Sequence, residues 1–280
     1  MTYSSTETLN KAQKKIVAHN NGPALVIAGA GSGKTRVITH RVAHLIQSGV
    51  PASSILLLTF TNKAADEMTQ RVEKAINDST NQNKILHGTF HSVGNRFLRQ
   101  HAKLLDYKNN FSILDTSDSK EMIKASIAET IGKPGKSFPK AAVLQNLFSL
   151  AFNRNGSQEI ILTVPYNKRN FHLDQLIFSN YPHFEEYLET IIKVLAIYRK
   201  KKKRGQVMDF DDLLENWLEL LLVHGEELPL CRQIKYVLVD EYQDTNKVQA
   251  EILLLLSGLE NNLMVVGDDA QSIYSWRGAD

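Results

Sequence analysis

Apolar residues in this chain of 280 residues fall into short continuous runs and into longer stretches with helical spacing. Short apolar runs are typical of strands that are buried on both faces of a parallel sheet. Such runs occupy residues 24–28, 55–58, 85–87, 236–239 and 263–266. Helical stretches separate the first three runs, so strand and helix alternate along the chain. This alternation predicts an α/β fold with a doubly wound parallel sheet flanked by helices.

The pattern changes between about residues 95 and 204. Runs typical of strands become scarce, and apolar residues recur at helical spacing, as at Met122, Ile123 and Ile127. The strand pattern then resumes, so we interpret this region as a mostly helical insertion that interrupts one sheet. The predicted organisation is a sheet domain in two parts, 1–94 and 205–280, with the inserted helical subdomain at 95–204.

Composition excludes some classes of protein and leaves the partner open. Hydrophobic residues make up 42% and charged residues 22% of the chain, which is ordinary for a globular protein. The net charge of +3 is too small to predict a nucleic-acid partner by itself. Cys231 is the only cysteine, which excludes a disulfide framework and a cysteine metal site. With no apolar run long enough to span a bilayer and no signal-peptide pattern at the N-terminus, we expect no membrane partner and a cytoplasmic location.

A glycine-rich loop follows the first predicted strand and precedes a helix. A loop in this position collects backbone N–H groups at the positive end of the helix dipole, which suits the phosphates of a nucleotide. The Lys34 ammonium can reach the outer phosphates, and the Thr35 hydroxyl can bind Mg²⁺. The strict phosphate-loop pattern begins with glycine where this chain has Ala28, and an ordinary glycine-rich turn is the alternative. The predicted nucleotide contacts are Ala28, Gly29, Ala30, Gly31, Ser32, Gly33, Lys34, Thr35 and Arg36.

Two acids end the strand at residues 236–239, at the sheet edge where ligands bind in such folds. Mg²⁺ prefers oxygen ligands, so Asp240 and Thr35 are the predicted protein ligands of a magnesium ion. Glu241 can polarise a water molecule for attack on the terminal phosphate. An N-cap role is the alternative for the two acids. Gln271, after the last strand, can sense the terminal phosphate through its amide, or it can be a turn residue.

Two further features each have a structural and a functional interpretation. Gln13 fits a capping box with Asn10, and its amide also fits an adenine contact; spacing favours the cap. The six adjacent bases at residues 199–204 fit either a solvated helix C-terminus or a surface that contacts phosphates. The sequence leaves these two interpretations of the basic run equally favoured.

Aromatic residues lie just beyond several predicted strand ends, with hydroxyl, amide and basic groups beside them. Aromatic faces stack on unpaired bases without selecting a sequence, so this pattern predicts a surface for single-stranded nucleic acid. The alternative is that the phenylalanines are core residues, which is the commoner role of a single phenylalanine. The candidate contacts are Phe60, Asn62, Lys63, Thr89, Phe90, His91, Tyr274, Trp276 and Arg277.

The sequence resembles the Rep, UvrD and PcrA helicases, a superfamily-one family of DNA motors. The match runs in order through residues 9–13, 28–35, 58–68, 88–92, 239–249 and 266–279. Its specific runs are Ala-Gly-Ala-Gly-Ser-Gly-Lys-Thr, Thr-Phe-Thr-Asn-Lys-Ala-Ala, Val-Asp-Glu-Tyr-Gln-Asp-Thr-Asn and Gln-Ser-Ile-Tyr-Ser-Trp-Arg-Gly-Ala. The family tolerates alanine at the position of Ala28, and the resemblance favours the adenine contact for Gln13.

The resemblance implies a RecA-like fold, with ATP and Mg²⁺ as cofactors and single-stranded DNA as partner. It implies 3′ to 5′ movement along that strand and unwinding at junctions with duplex DNA. Catalytic roles would fall to Lys34, Asp240, Glu241 and Gln271, while Arg277 would link the strand to the nucleotide site. We expect this chain to be the N-terminal part of a longer helicase that is weakly active without its second motor domain.

Other functions stay open at this stage. One alternative is a helicase subunit of a helicase–nuclease complex, and another is a non-catalytic DNA-binding module that uses nucleotide as a switch. Accessory proteins of repair or replication are possible partners that the sequence does not identify.

Overall fold

A computed structural model describes residues 9–76, 85–155, 158–169, 172–258, 261–268 and 270. The strands are β1 (Ala24–Ile27), β2 (Ile55–Leu58), β3 (Leu86–Gly88), β4 (Ser112–Ile113), β5 (Val207–Met208), β6 (Tyr236–Val239) and β7 (Leu263–Gly267). The helices are α1 (Lys11–Val17), α2 (Lys34–Gln47), α3 (Asn62–Ile76), α4 (Phe90–His101), α5 (Thr116–Ile131), α6 (Ala141–Asn155), α7 (Gln158–Thr163), α8 (Leu173–Asn180), α9 (Leu188–Gly205), α10 (Phe210–His224), α11 (Pro229–Gln233) and α12 (Lys247–Ser257). In these helices, no segment has both the length and the apolar character that crossing a bilayer requires.

The main sheet has the strand order β1-β7-β6-β2-β3, and every pairing in it is parallel. Its five strands are the five apolar runs of the sequence, so the predicted α/β fold with a parallel sheet is confirmed. A second, two-stranded parallel sheet pairs β4 with β5. The sequence pattern did not predict it, since strands of two residues carry no recognisable periodicity.

Alternate residues of the central strands face two different layers of helices. Ile55 and Leu57 of β2 pack on one face with the apolar side of α2 and α3. Leu56 and Leu58 point to the other face, where they join a core that includes Trp217 of α10. Because both faces are covered, β2 is buried along its whole length, as expected for a central parallel strand.

The helical region shares its core with one face of the main sheet. A single apolar cluster extends from β2 and β6 through α4, α10 and α12 into α6, α8 and α9. The predicted boundary between residues 94 and 95 falls inside α4, and the boundary at 204/205 falls at the last residue of α9. The division into a sheet domain and an inserted subdomain stays a prediction.

The basic run of residues 199–204 lies at the end of α9, and several of its side chains are buried. The Lys202 ammonium lies 2.6 Å from an oxygen of Asp209 and 2.7 Å from an oxygen of Asp212. The Arg199 guanidinium pairs with Glu215 at 3.2 Å. Both interpretations of the run are therefore wrong for Lys202 and Arg199, which hold α9 against α10.

These buried groups belong to a larger set that we call the α9–α10 charge cluster, formed by Arg169, Arg199, Lys202, Asp209, Asp212 and Glu215. Although burial opposes the charged form, the neighbouring carboxylates raise the pKa of Lys202. Burial and the adjacent Asp209 carboxylate raise the pKa of Asp212 to about 7. In the same run, Lys200 and Arg204 remain exposed.

Candidate nucleotide site and nucleic-acid surface

The carboxyl ends of all five main strands lie at one edge of the sheet, because every strand is parallel. The strand order places the ends of β1, β7 and β6 side by side, and the ends of β2 and β3 next to them. The glycine-rich loop and the acids follow the first group, whereas the candidate DNA contacts from Phe60 to His91 follow the second. The two predicted sites therefore occupy neighbouring halves of the same edge.

The glycine-rich loop adopts a backbone that requires two of its glycines. Gly31 and Gly33 have φ angles of 72° and 88°, in the left-handed region that side chains disfavour. Gly33 is the N-cap of α2 and offers no side-chain cap to the first N–H groups of that helix. The Ala28 N–H donates to the Gly267 carbonyl at 3.0 Å, which continues the sheet pairing. Ala28 has no positive φ, so the loop does not need glycine there.

Lys34 is held by two acids from neighbouring strand ends. Its Nζ atom lies 3.5 Å from Asp268 Oδ2 and 3.9 Å from Glu241 Oε2, and its side chain is only 9% exposed. A triphosphate that bound here would compete with these carboxylates for the ammonium. Sequence reasoning missed Asp268 as a site residue, although it follows β7 just as Asp240 follows β6.

The Thr35 hydroxyl donates to Asp240 Oδ2 at 3.2 Å, across 205 positions of sequence. Burial, together with the Glu241 carboxylate, raises the pKa of Asp240 to about 6. A hydroxyl and a buried carboxylate in contact form a pair of hard oxygen donors, which fits Mg²⁺. Within the described ranges, no group of three or more His, Cys, Asp or Glu side chains could hold a metal alone. A magnesium ion here would take its other ligands from water and phosphate.

Glu241 has a backbone φ of 55°, in the left-handed region that is uncommon for a residue with a side chain. It precedes a short 3₁₀ turn at Tyr242–Asp244 and makes no capping hydrogen bond to it with its side chain. The side chain is 37% exposed, and Gln243 Nε2 donates to its Oε2 atom at 2.7 Å. The carboxylate is thus open to solvent beside Lys34, as a group that activates water would need to be.

The Gln13 side chain has a structural role that reaches the glycine-rich loop. Its Oε1 atom accepts from the Asn10 N–H at 2.9 Å and completes the capping box of α1. Its Nε2 atom donates to the Ser32 carbonyl at 2.9 Å. The capping interpretation is confirmed, and the same side chain lies at the loop where an adenine contact is predicted.

The candidate DNA contacts at the ends of β2 and β3 differ in exposure. Phe60 is 42% exposed, and Asn62 and Lys63 are exposed at the start of α3. The Thr89 side chain accepts from the Ser92 N–H at 3.2 Å and caps α4, which leaves it half-buried. Phe90 is 7% exposed and belongs to the core, so a stacking role for Phe90 is wrong. Phe90 is the first residue of α4, and its side chain belongs to the apolar cluster that includes Leu56 and Leu58 of β2.

An exposed phenylalanine that sequence reasoning missed lies beside this surface. Phe210, the first residue of α10, is 50% exposed. Its ring meets that of His91 edge to face, with 5.8 Å between the centroids. The sequence did not mark Phe210 as a residue beyond a strand end, because β5 itself was not predicted. The other predicted residues Gln271, Tyr274, Trp276 and Arg277 lie outside the described residues.

Known proteins are similar to this chain over nearly its whole length. The family model for the UvrD/REP helicase N-terminal domain matches residues 9–280. The ATP-dependent DNA helicase PcrA of Bacillus subtilis (strain 168) is 38% identical over 285 aligned positions, which cover 100% of this chain and 36% of that protein. PcrA of Staphylococcus aureus (strain Mu50 / ATCC 700699) is 36% identical over 97% of this chain and 34% of its own length. PcrA of Leuconostoc citreum is 37% identical over 98% of this chain and 34% of its own length.

The chain thus spans about a third of the length of these relatives. The match includes the glycine-rich loop, the acids after β6 and the residues after β2 and β3. It also covers the helical region, where the sequence carries fewer recognisable motifs. This chain belongs to the UvrD/REP helicase N-terminal domain family.

Proposed function

We propose that this chain is the ATP-binding motor domain of a DNA helicase that moves 3′ to 5′ along single-stranded DNA and separates duplexes at junctions. The observation that carries the proposal is the meeting of Lys34, Thr35, Asp240 and Glu241 at one sheet edge, beside exposed aromatic side chains. We propose that it acts with a second motor domain, as the greater length of the relatives suggests. A cytoplasmic location and accessory DNA-processing partners also remain proposals.

Each residue of the nucleotide half has a role that its contacts support. The left-handed glycines open the loop so that its N–H groups can face phosphates. Lys34 exchanges its carboxylate partners for phosphate oxygens. Thr35 and Asp240 would hold Mg²⁺, which neutralises phosphate charge when bound. Glu241 orients a water molecule and accepts its proton, while Gln13 and Arg36 would contact the rest of the nucleotide.

The DNA half would hold the strand by stacking and by polar contacts. Phe60 and the added candidate Phe210 offer exposed rings, and His91 supports the ring of Phe210. Base stacking on an aromatic side chain contributes about 1–3 kcal/mol per base, whatever the base. The polar contacts would come from Asn62, Lys63 and Thr89, and Tyr274, Trp276 and Arg277 would complete the surface. Gln271 would belong to the nucleotide half, where it would sense the terminal phosphate.

Single-turnover hydrolysis of ATP with the protein in excess tests the nucleotide half. We expect slow but measurable hydrolysis by this chain, its loss in Lys34→Ala, and retained nucleotide binding without hydrolysis in Glu241→Gln. Equal rates in the wild type and Lys34→Ala would overturn the proposal and favour a non-catalytic module. Rapid, strongly DNA-stimulated steady-state turnover would contradict the expectation that the chain is weakly active alone.

Binding of a fluorescent single-stranded oligonucleotide tests the DNA half. We expect Phe60→Ala and Phe210→Ala each to weaken this binding about tenfold, since each removes one stacking surface. Trp276→Ala should act in the same direction. Phe178→Ala is the matched control, because Phe178 is similarly exposed but lies on α8. A loss of affinity as large in Phe178→Ala would show that the assay reports general surface changes.

A further inference from the structure

The Gln243 side chain lies between the Glu241 carboxylate and the backbone that leaves β7. We propose that Gln243 is a positioning residue that holds Glu241 for water activation and joins it to the segment after β7. This inference rests on the proposed function, because it gives Gln243 a role only if Glu241 activates water. Sequence reasoning did not single out Gln243.

Both ends of the Gln243 amide are used, and in one orientation only. Its Nε2 atom donates to Glu241 Oε2 at 2.7 Å. Its Oε1 atom accepts from the Asp268 N–H at 2.9 Å. A carboxylate only accepts and a backbone N–H only donates, so a flipped amide would lose both bonds. The side chain therefore bridges the ends of two neighbouring strands, β6 and β7.

Gly267 leaves the space that this bridge occupies. A Cβ atom at Gly267 would lie 2.8 Å from Gln243 Oε1 and 3.3 Å from the Gln243 backbone nitrogen. Gly267 has no positive φ, so its backbone does not itself require glycine. The absence of a side chain at this position makes room for the amide.

Glu241 needs such support when nucleotide binds. Its side chain is partly exposed and has two described partners, the Lys34 ammonium at 3.9 Å and the Gln243 amide at 2.7 Å. Once Lys34 turns to a phosphate, the hydrogen bond from Gln243 remains to orient the carboxylate. Misplacement of a reacting group by about 1 Å can slow a reaction on the order of 10²-fold.

The other end of the bridge lies on the main chain of Asp268, eight positions before Trp276 in the sequence. The Asp268 main-chain N–H donates to Gln243 Oε1, while the Asp268 carboxylate pairs with Lys34. The chain continues from Asp268 to Trp276, one of the proposed DNA contacts. A displacement of the Asp268 backbone on DNA binding would therefore act on Gln243 and through it on Glu241. The bridge gives a physical route by which the strand and the nucleotide affect each other.

Two variants test the bridge from opposite sides. Gln243→Met keeps the approximate side-chain length and removes both hydrogen bonds without adding charge. Gly267→Ala keeps Gln243 and displaces its amide by contact. Their matched controls are Gln100→Met, at an exposed glutamine, and Gly135→Ala, where an added Cβ meets nothing within 4 Å. Thermal unfolding of all four variants verifies that they are folded.

Three quantities are measured for each variant: affinity for a fluorescent ATP analogue, single-turnover hydrolysis, and the change in oligonucleotide affinity that the analogue causes. We expect both bridge variants to bind the analogue within about threefold of the wild type and to hydrolyse ATP on the order of 10²-fold more slowly. The effect of the analogue on oligonucleotide affinity should approach zero, because this effect is the coupling between the two sites. The controls should keep wild-type values for all three quantities.

Wild-type hydrolysis in both bridge variants would overturn this inference. So would a loss of analogue affinity as large as the loss of rate, since that pattern indicates a packing role at the nucleotide site. If the wild type itself hydrolyses no faster than Lys34→Ala, the proposed function fails instead, and the role of Gln243 falls with it. The Lys34→Ala measurement therefore separates the two failures.

Discussion

Replacing Lys202 with methionine tests whether the basic run at the end of α9 stabilises the fold or contacts phosphates. Lys202 lies in the α9–α10 charge cluster, and its side chain is 4% exposed. Lys200 lies two positions earlier on the same helix and is exposed. Lys200→Met is thus a matched control with the same change of charge and size.

The expected loss in the free energy of unfolding follows from the carboxylates that Lys202→Met leaves without a cation. The ammonium contacts Asp209 at 2.6 Å and Asp212 at 2.7 Å, so its removal leaves the half-buried Asp209 carboxylate and the buried Asp212 carboxylate without a cation between them. Removing one partner of a buried ion pair typically costs about 3–5 kcal/mol of the free energy of unfolding. For a protein of this size, such a loss lowers Tm by roughly 10 °C. Lys200→Met should change the free energy of unfolding by less than about 0.5 kcal/mol.

Urea or thermal unfolding at two pH values gives a second, independent readout. In the variant, protonation of Asp212 relieves the repulsion from Asp209. The pKa of Asp212 is already raised to about 7 by burial and Asp209, whereas an unfolded aspartate titrates near about 3.9. Lys202 lowers this pKa, so its removal raises the pKa of Asp212 further, and the folded variant takes up the proton at a higher pH than the folded wild type. The deficit relative to the wild type should therefore be larger at about pH 9 than at about pH 7.

Oligonucleotide binding at several salt concentrations separates the two roles of the run. If Lys202 contacted phosphate, its loss would reduce the salt dependence of binding by about one unit of slope and leave stability unchanged. We expect the reverse for Lys202→Met, namely a large loss of stability and an unchanged slope. Equal stability of Lys202→Met and Lys200→Met would refute the reasoning from burial.

Two further predictions concern stability. Gly94→Ala should lower the free energy of unfolding by about 1–3 kcal/mol, because the new Cβ would lie 2.8 Å from the buried ring of Trp217. Urea unfolding measures this loss, and Gly135→Ala is the control because its added Cβ meets nothing within 4 Å. Equal stability of the two variants would contradict the packing argument. Burial raises the pKa of Glu251 to about 7, and its Oε2 atom lacks a hydrogen-bond partner among the described residues. The folded wild type therefore loses stability as pH rises from about 4.5 to about 7. Glu251→Gln should raise Tm at about pH 8 but not at about pH 5. An equal change of Tm at both pH values would show that ionisation of Glu251 is not the cause.

The main sheet and the glycine-rich loop could be predicted from sequence because their signals are local. Each strand of the main sheet is an apolar run bounded by polar or small residues, and the loop needs glycine at Gly31 and Gly33 for its own backbone. That Thr35 and Asp240 lie close together could be predicted because ligands bind at the carboxyl ends of the strands in a parallel sheet. No long-range contact had to be known in advance.

The burial of individual side chains could not be predicted in this way. Phe60 and Phe90 both follow a strand, yet one is exposed and the other is in the core, because only Phe90 begins a helix that packs over the sheet. Arg199 and Lys202 have the composition of a solvated run, and their burial depends on carboxylates supplied by α10. Such outcomes depend on the packing of whole elements, which residue types and spacing do not specify.

The apolar cluster that extends from β2 into α6, α8 and α9 bears on how the helical region could be exchanged between relatives. A graft bounded at residues 95 and 204 would cut α4 and separate Lys202 from its carboxylate partners on α10. It would also replace the helical part of the apolar cluster while keeping the part on the sheet, so the two parts would come from different proteins. A chimera intended to fold should carry α4 and α10 together with the helices between them, so that complementary surfaces are inherited from one parent.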